Sequence, residues 1–350
     1  MVKSELFGKT TDGRDITAYT IDNGHISCRV LDFGAVLMNL YTPDQHGTMS
    51  DLVLGFDDAE QYETNKDFFG ALIGPVANRT ANGRFVLNGH EYQLPVNDGP
   101  NNLHTDADLG LHKKLWKAMP GGDFVTFTVE VPDGECGLPG TRNFTVTYTI
   151  TEDNALRIHY HATSDVPTYI NPTNHAYFNL DGHAAGAESV LNTEMQLFCS
   201  HYTPVDKESI PTGETAPVSG TPFDFRDAKK IGQDIEADNE QLHFVGGYDH
   251  NFVVDEYTGD GEYAPVAVAY SAKSGRVMEV FSTLPGVQFY TGNYVDDKGG
   301  KQGTDYDKRA AFCLETQYFP DAINHDNFEK PIYGGNKIYD SLTKYRFSVR

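Results

Sequence analysis

Glu315 stands in the apolar run AFCLETQYFP, among Phe312, Cys313, Leu314, Tyr318 and Phe319. A carboxylate buried in such company costs on the order of several kcal/mol unless it is paired or hydrogen-bonded. Burial also raises its pKa, which suits a general base near neutral pH. Strand alternation equally permits an outward-facing, solvated glutamate, and the run alone leaves both readings open. His175 follows the turn-forming stretch Asn171-Pro172-Thr173-Asn174 and precedes aromatics. An imidazole held there by local hydrogen bonds can face a cleft and give a proton near neutral pH; a capped loop histidine has the same pattern. His104 lies in NDGPNNLHTD, a loop of the kind that either positions a functional group or simply turns. Arg79, in GPVANRTANGRF, offers a fork of donors suited to vicinal hydroxyls, or is a surface arginine. Asp249 follows two glycines in GGYDHNFVV and either accepts hydrogen bonds from hydroxyls or caps a turn.

Other chemistries lack their residues. His159 and His161 form an H-x-H pair, but both fall on the polar face of an alternating segment beside Arg157, which reads as a solvated face. No His/Cys cluster has zinc spacing. There is no G-x-G-x-x-G, no P-loop and no G-x-S-x-G elbow. No metal, nucleotide or other cofactor is expected.

The elements that must position these groups are strands. Phe144, Val146, Tyr148 and Ile150 alternate with threonines in NFTVTYTI; Leu156, Ile158 and Tyr160 alternate with polar residues in ALRIHYHA; KYRFSVR repeats the pattern. In RFVLNGHEYQL, Asn88-Gly89 predicts a type I′ hairpin. Further strands are expected in AVLMNLY, DFVTFTVEV, SVLNTEMQLF, NFVV, PVAVAY, RVMEVFS, VQFYTG and AFCLETQ. DDAEQYETN and DAKKIGQDIE predict two short helices, too short to cover a parallel sheet. The reading is all-β, antiparallel sheets packed on one another, in one domain over residues 1–350. The Pro-rich segment TPVDKESIPTGETAPVSGTPFDF carries aromatics and is expected to pack as an ordered loop.

Composition agrees. The 20 Tyr and 21 Phe against one Trp favour strands. A formal net charge of −23 argues against nucleic acid and anionic membrane surfaces while leaving neutral ligands open. Four cysteines without a C-x-x-C pair, and no signal pattern or membrane-length apolar run, point to a reduced, cytoplasmic protein. Monomer and homodimer both remain open.

The order of motifs says more than any one of them. GPVANRTANGRF, NDGPNNLH, NPTNHAYFNL, PVDKESIPTGE with TPFDF, GGYDHNFVV, QFYTGNY and ETQYFPDAIN follow one another along nearly the whole chain. This set resembles the galactose mutarotase (aldose 1-epimerase) family. The resemblance implies a large twisted antiparallel β-sandwich, no cofactor, and interconversion of the α and β anomers of a free aldose such as D-galactose or D-glucose. It implies Glu315 as the base at the C1 hydroxyl, His175 as the acid at the ring oxygen, and His104 holding that oxygen and sharing the acid role. Arg79 and Asp249, with Asn78 beside them, would hold sugar hydroxyls, and Phe289 or Tyr290 would give an aromatic platform. Two departures stand out. The family usually has Gly-Arg where this chain has Gly74-Pro75, and two glycines where Thr105-Asp106 follow His104. These point to a changed site rim and to a rival substrate, the reducing end of a disaccharide such as maltose. Rivals of another class are a glycoside hydrolase using Asp249 and Glu315, and a sugar-binding protein without catalysis.

Overall fold

The computed structural model describes residues 2–350. An antiparallel meander comes first: Lys3–Lys9, Asp15–Asp22, Ser27–Leu31, Leu37–Pro43 and Met49–Asp51. A nine-stranded antiparallel sheet forms the main layer. Its centre is Arg142–Ile150, Ala155–Ser164, Tyr339–Val349 and Arg276–Ser282, so the last strand of the chain lies between two strands that are both far upstream of it in sequence. A five-stranded sheet carries Ala216–Pro217, His201–Tyr202, Asp249–Val253, Gly286–Tyr290 and Cys313–Gln317, in that order.

Alternation decides which way each strand faces. Phe144, Val146, Tyr148 and Ile150 are buried, as are Leu156, Ile158 and Tyr160 one strand over. The five-stranded sheet packs its apolar face here. The Tyr345 hydroxyl donates to the Leu314 carbonyl at 2.9 Å, and the Tyr345 ring lies 5.1 Å from Phe178. Leu314 and Thr316 therefore face the core. Cys313, Glu315 and Gln317 face the other way, together with Gln288 and Tyr290 on the next strand and Asp249 and Asn251 beyond it. Three adjacent strands thus present one polar row, which becomes the wall of a cavity.

The Asn88-Gly89 hairpin forms as its sequence implies, with φ of 51° and 79° joining Arg84–Leu87 to His90–Gln93. The helix near residue 60 spans Ala59–Thr64, and the Asp58 carboxylate accepts from the Gln61 N–H at 2.9 Å as its cap. Two expectations fail. SVLNTEMQLF divides into a helix, Gly186–Asn192, and a short strand, Glu194–Leu197. Ser189 explains the helical half: its hydroxyl is drawn inward to Asn179 and Asp181, both at 2.7 Å. DAKKIGQDIE is an edge strand, Lys229–Lys230, and one 3-10 turn, Ile231–Gln233. Its pairing with Glu194 and Met195 and the Ile231 N–H bond to the Thr193 carbonyl override a weak helical pattern.

Candidate active site

The motif NPTNH is a clasp. Asn171 donates to the Tyr318 carbonyl at 3.1 Å and accepts from its N–H at 2.9 Å. The Thr173 hydroxyl donates to the Thr316 carbonyl at 2.9 Å, and Asn174 donates to the Gly70 carbonyl at 2.9 Å. Asn171 and Thr173 thus tie the segment to the residues flanking Glu315. His175 is fixed next, its N–H on the Ala71 carbonyl and its own carbonyl on the Gly70 N–H. The result is a contact of 3.6 Å between His175 Nε2 and Glu315 Oε2, both side chains almost wholly buried.

Glu315 is therefore the buried carboxylate, not the solvated one. Its Oε2 has no hydrogen-bond partner among the described residues. Burial, aided by the Asp249 carboxylate and opposed by Arg79, pushes its pKa well above the ordinary value. Burial acts oppositely on His175, lowering it to about 3. The imidazole is neutral near pH 7, which corrects the expectation of a histidine titrating at its ordinary value. The two shifts run in opposite senses: burial disfavours the charged form of each group, the imidazolium of His175 and the carboxylate of Glu315.

His104 has a defined tautomer. Its Nδ1 accepts the Asn78 N–H at 3.1 Å, so its proton sits on Nε2. Burial and the neighbouring His175, Arg79 and His112 hold its pKa well down. Asn78 and His104 both take positive φ, 61° and 57°, and the His104 N–H donates to the Asn78 carbonyl at 3.0 Å while the Asn78 N–H donates to the ring, closing this loop on itself. Arg79 donates from Nε to Asp98 at 2.7 Å and reaches Asp249 at 4.0 Å. Asp249 accepts from Gln288 at 2.7 Å, and burial raises its pKa.

Glu315, His175, His104, Asn78, Arg79, Asp249 and Tyr290 all line one cavity of about 450 Å³. Phe289 does not, and this corrects one expectation. It pairs with Leu314 on the core face, wholly buried against Tyr248 and Phe225. Alternation alone assigns Phe289 and Tyr290 to opposite faces.

The rim expectation also changes. Thr105 is buried, its hydroxyl donating to the Val76 carbonyl at 2.7 Å and accepting from the Val76 N–H at 2.8 Å. Asp106 turns outward to the N–H groups of Asp108 and Leu109. Pro75 is buried too, its carbonyl accepting from Asn171. None of Pro75, Thr105 and Asp106 lines the cavity.

Sequence reasoning missed several lining residues: Asp67, Phe68, Asp98, Tyr177, Phe244, Tyr294 and the loop Lys207–Ser209. Phe68 lies against His104 and His112 at ring separations of 4.9 and 5.0 Å. Its positive φ of 58° aims a bulky residue where strand patterns give no signal. Asp67 is pushed up to about 8 by burial and by the adjoining Asp297 carboxyl. For a metal, His175, Cys313 and Glu315 bring donor atoms within 4.8 Å of one another among the described residues. The imidazole meets Cys313 through Nδ1 and Glu315 through Nε2, so a single ion does not fit all three as they stand.

An antiparallel β-sandwich with an acid–base cavity on one sheet is the galactose mutarotase-like fold. Its likeness to solved structures is close. The aldose epimerase homologue of C. elegans superposes with a TM-score of 0.86 at 31% identity, covering 95% of this chain and 99% of that one. A galactose 1-epimerase from Lactobacillus acidophilus gives 0.85 at 24% identity, over 100% of this chain and 99% of that one. The model of the family Aldose 1-epimerase matches residues 17–346. Human galactose mutarotase is 39% identical over 350 residues, 99% of each chain. Aldose 1-epimerase of Escherichia coli is 35% identical over 340 residues, 96% of each. The chain belongs to the aldose 1-epimerase family of isomerases.

Proposed function

We propose that this protein interconverts the α and β anomers of a free aldose, D-galactose or D-glucose, by acid–base ring opening. The observation that carries the reading is the 3.6 Å contact between Glu315 and His175 inside the cavity. Mutarotation needs one proton removed from the C1 hydroxyl and one supplied to the ring oxygen. A pair holding one mobile proton meets both needs. With that proton on His175 Nε2, Glu315 is the base and His175 the acid. The hemiacetal opens, C1 turns about the C1–C2 bond, and the ring closes on the other face. The reverse reaction is the same chemistry, so the roles exchange. The His104 Nε2–H is a neutral donor for the ring oxygen, Arg79, Asp249 and Asn78 hold hydroxyls, and Tyr290 meets the C–H face of the sugar. A positioned acid or base supplies about 10²–10⁴-fold each.

The hydrolase reading is weaker. The group beside Glu315 is a histidine, while Asp249 sits two strands away and is engaged by Gln288.

The test follows the optical rotation of freshly dissolved α-D-galactose, α-D-glucose and α-maltose. Catalytic amounts of protein should hasten equilibration of at least one monosaccharide. Glu315→Gln should lower kcat by at least ~10²-fold. No acceleration of any aldose would sink the reading. A rate for maltose above both monosaccharides would move the substrate to a reducing disaccharide.

A further inference from the structure

The His175 ring lies near-parallel to two aromatic rings and meets a named side chain through each of its nitrogens. Tyr177 stacks on the ring at 4.9 Å and 22°, and Phe68 lies near-parallel to it at 6.1 Å and 28°. These stacks fix the plane of the ring but not which nitrogen carries its proton. The edges decide that. Nε2 points to Glu315 at 3.6 Å, and Nδ1 points to Cys313 Sγ at 3.6 Å. Cys313 and Glu315 are two residues apart on one strand and share its cavity-facing side. Two residues of strand span roughly 6.7 Å, so one short strand can bracket an imidazole edge to edge.

We propose that Cys313 is a positioning residue, its sulfur accepting the Nδ1–H of His175 and leaving Nε2 bare toward Glu315. The inference rests on the acid–base reading above. A proton can pass from Glu315 to His175 only if Nε2 has a free lone pair, which requires the proton of neutral imidazole to sit on Nδ1. The sulfur is a thiol and not a thiolate, because burial holds its pKa well up. A thiol is a weak acceptor without charge. A carboxylate in its place would raise the pKa of His175 and trap the proton there. The thiol orients the ring without biasing the pair, which suits a reaction that must run equally well both ways.

The test uses the full chain with ring-¹⁵N-labelled histidine. In the wild type, His175 should give a protonated-type Nδ1 signal and a bare-type Nε2 signal. Cys313→Ala should mix the tautomers and lower kcat about tenfold, the low end for losing a group that orients a functional histidine, with KM unchanged. Cys313→Ser, whose hydroxyl also accepts, should restore the tautomer and most of kcat. Thermal melts of both variants show whether they are folded. A wild-type signal with the proton on Nε2 overturns the proposal, and so does Cys313→Ala with tautomer and kcat unchanged. The tautomer is read without substrate. A protein that equilibrates no aldose therefore fails the functional reading while the Cys313 contact is still judged on its own.

Discussion

The buried pair of Glu315 and His175 has a pH signature that ordinary pKa values would not suggest. In the proposed reaction the pair works with one proton between its two members. It gains a second as His175 titrates at about 3, and it loses the first only above the raised pKa of Glu315. Activity should therefore fall on the alkaline side when that single proton leaves, with the two limbs belonging to the pair. Asp249 helps hold the proton, since its negative charge opposes ionisation of Glu315. Asp249→Asn should therefore move the alkaline limb of kcat/KM to lower pH, whatever it does to the maximum rate. A limb that stayed put or moved upward would show the charge to be irrelevant. Glu315 also bears on stability. Folded chain keeps its proton at pH values where unfolded chain has released one, so stability drains away as pH rises from 4.5 toward the folded-state value. Glu315→Gln should accordingly be the more stable protein near pH 8, by on the order of 1 kcal/mol. At this scale the sequence was half legible. The apolar neighbours of Glu315 allowed burial, but the His175 segment that lies against it is brought there by bonds to Thr316 and Tyr318 over more than 140 residues of chain, which no local pattern records.

Strands and clasps, rather than single residues, set the geometry of the cavity. Period-2 alternation was readable in most strands, and in Cys313–Gln317 the structure shows it putting Cys313, Glu315 and Gln317 on one face. Applied to Gly286–Tyr290, it separates Phe289 from Tyr290, and the core claims the former. The segments the sequence left dark are those whose direction comes from positive φ, such as Phe68, and those whose partners lie far along the chain, such as Asp98 with Arg79. Thr105 teaches the same lesson in reverse: a conspicuous substitution is absorbed by two bonds to Val76 and does not line the cavity. Asn171 is the clearest element-scale test. It is wholly buried and ties the His175 segment to Tyr318 through both amide atoms. Asn171→Ala leaves a buried N–H and a buried carbonyl unpaired, and should cost about 2–3 kcal/mol. Denaturant midpoints measure the loss. The same change should loosen the spacing of His175 and Glu315 and lower kcat more than it raises KM.

The whole molecule is held together by polar links as well as by its apolar core. Arg276 is almost wholly buried and donates to the carbonyls of Leu180, Thr42 and Thr48, joining the nine-stranded sheet to the first meander. Lys301, equally buried, meets Asp51 and the Val53 carbonyl at 2.7 Å each. Asp51 also accepts from Asn39 and from the Leu40 N–H. The loop carrying Lys301 is thereby pinned to the end of the meander, 250 residues away in sequence. Breaking a buried pair from one side strands the other charge. Lys301→Met should lower stability by about 3 kcal/mol, seen as a fall in denaturant midpoint without a change in slope. The unpaired Glu315 oxygen has a different consequence at this scale. It makes the protein its own sensor of the correct sugar. A ligand at 100 times its dissociation constant stabilises the native state by about 2.7 kcal/mol, and one whose hydroxyl reaches that oxygen also relieves a burden the fold carries alone. Melting temperatures recorded across a panel of aldoses should rank them by how well each quiets Glu315, and the ranking should collapse in Glu315→Gln.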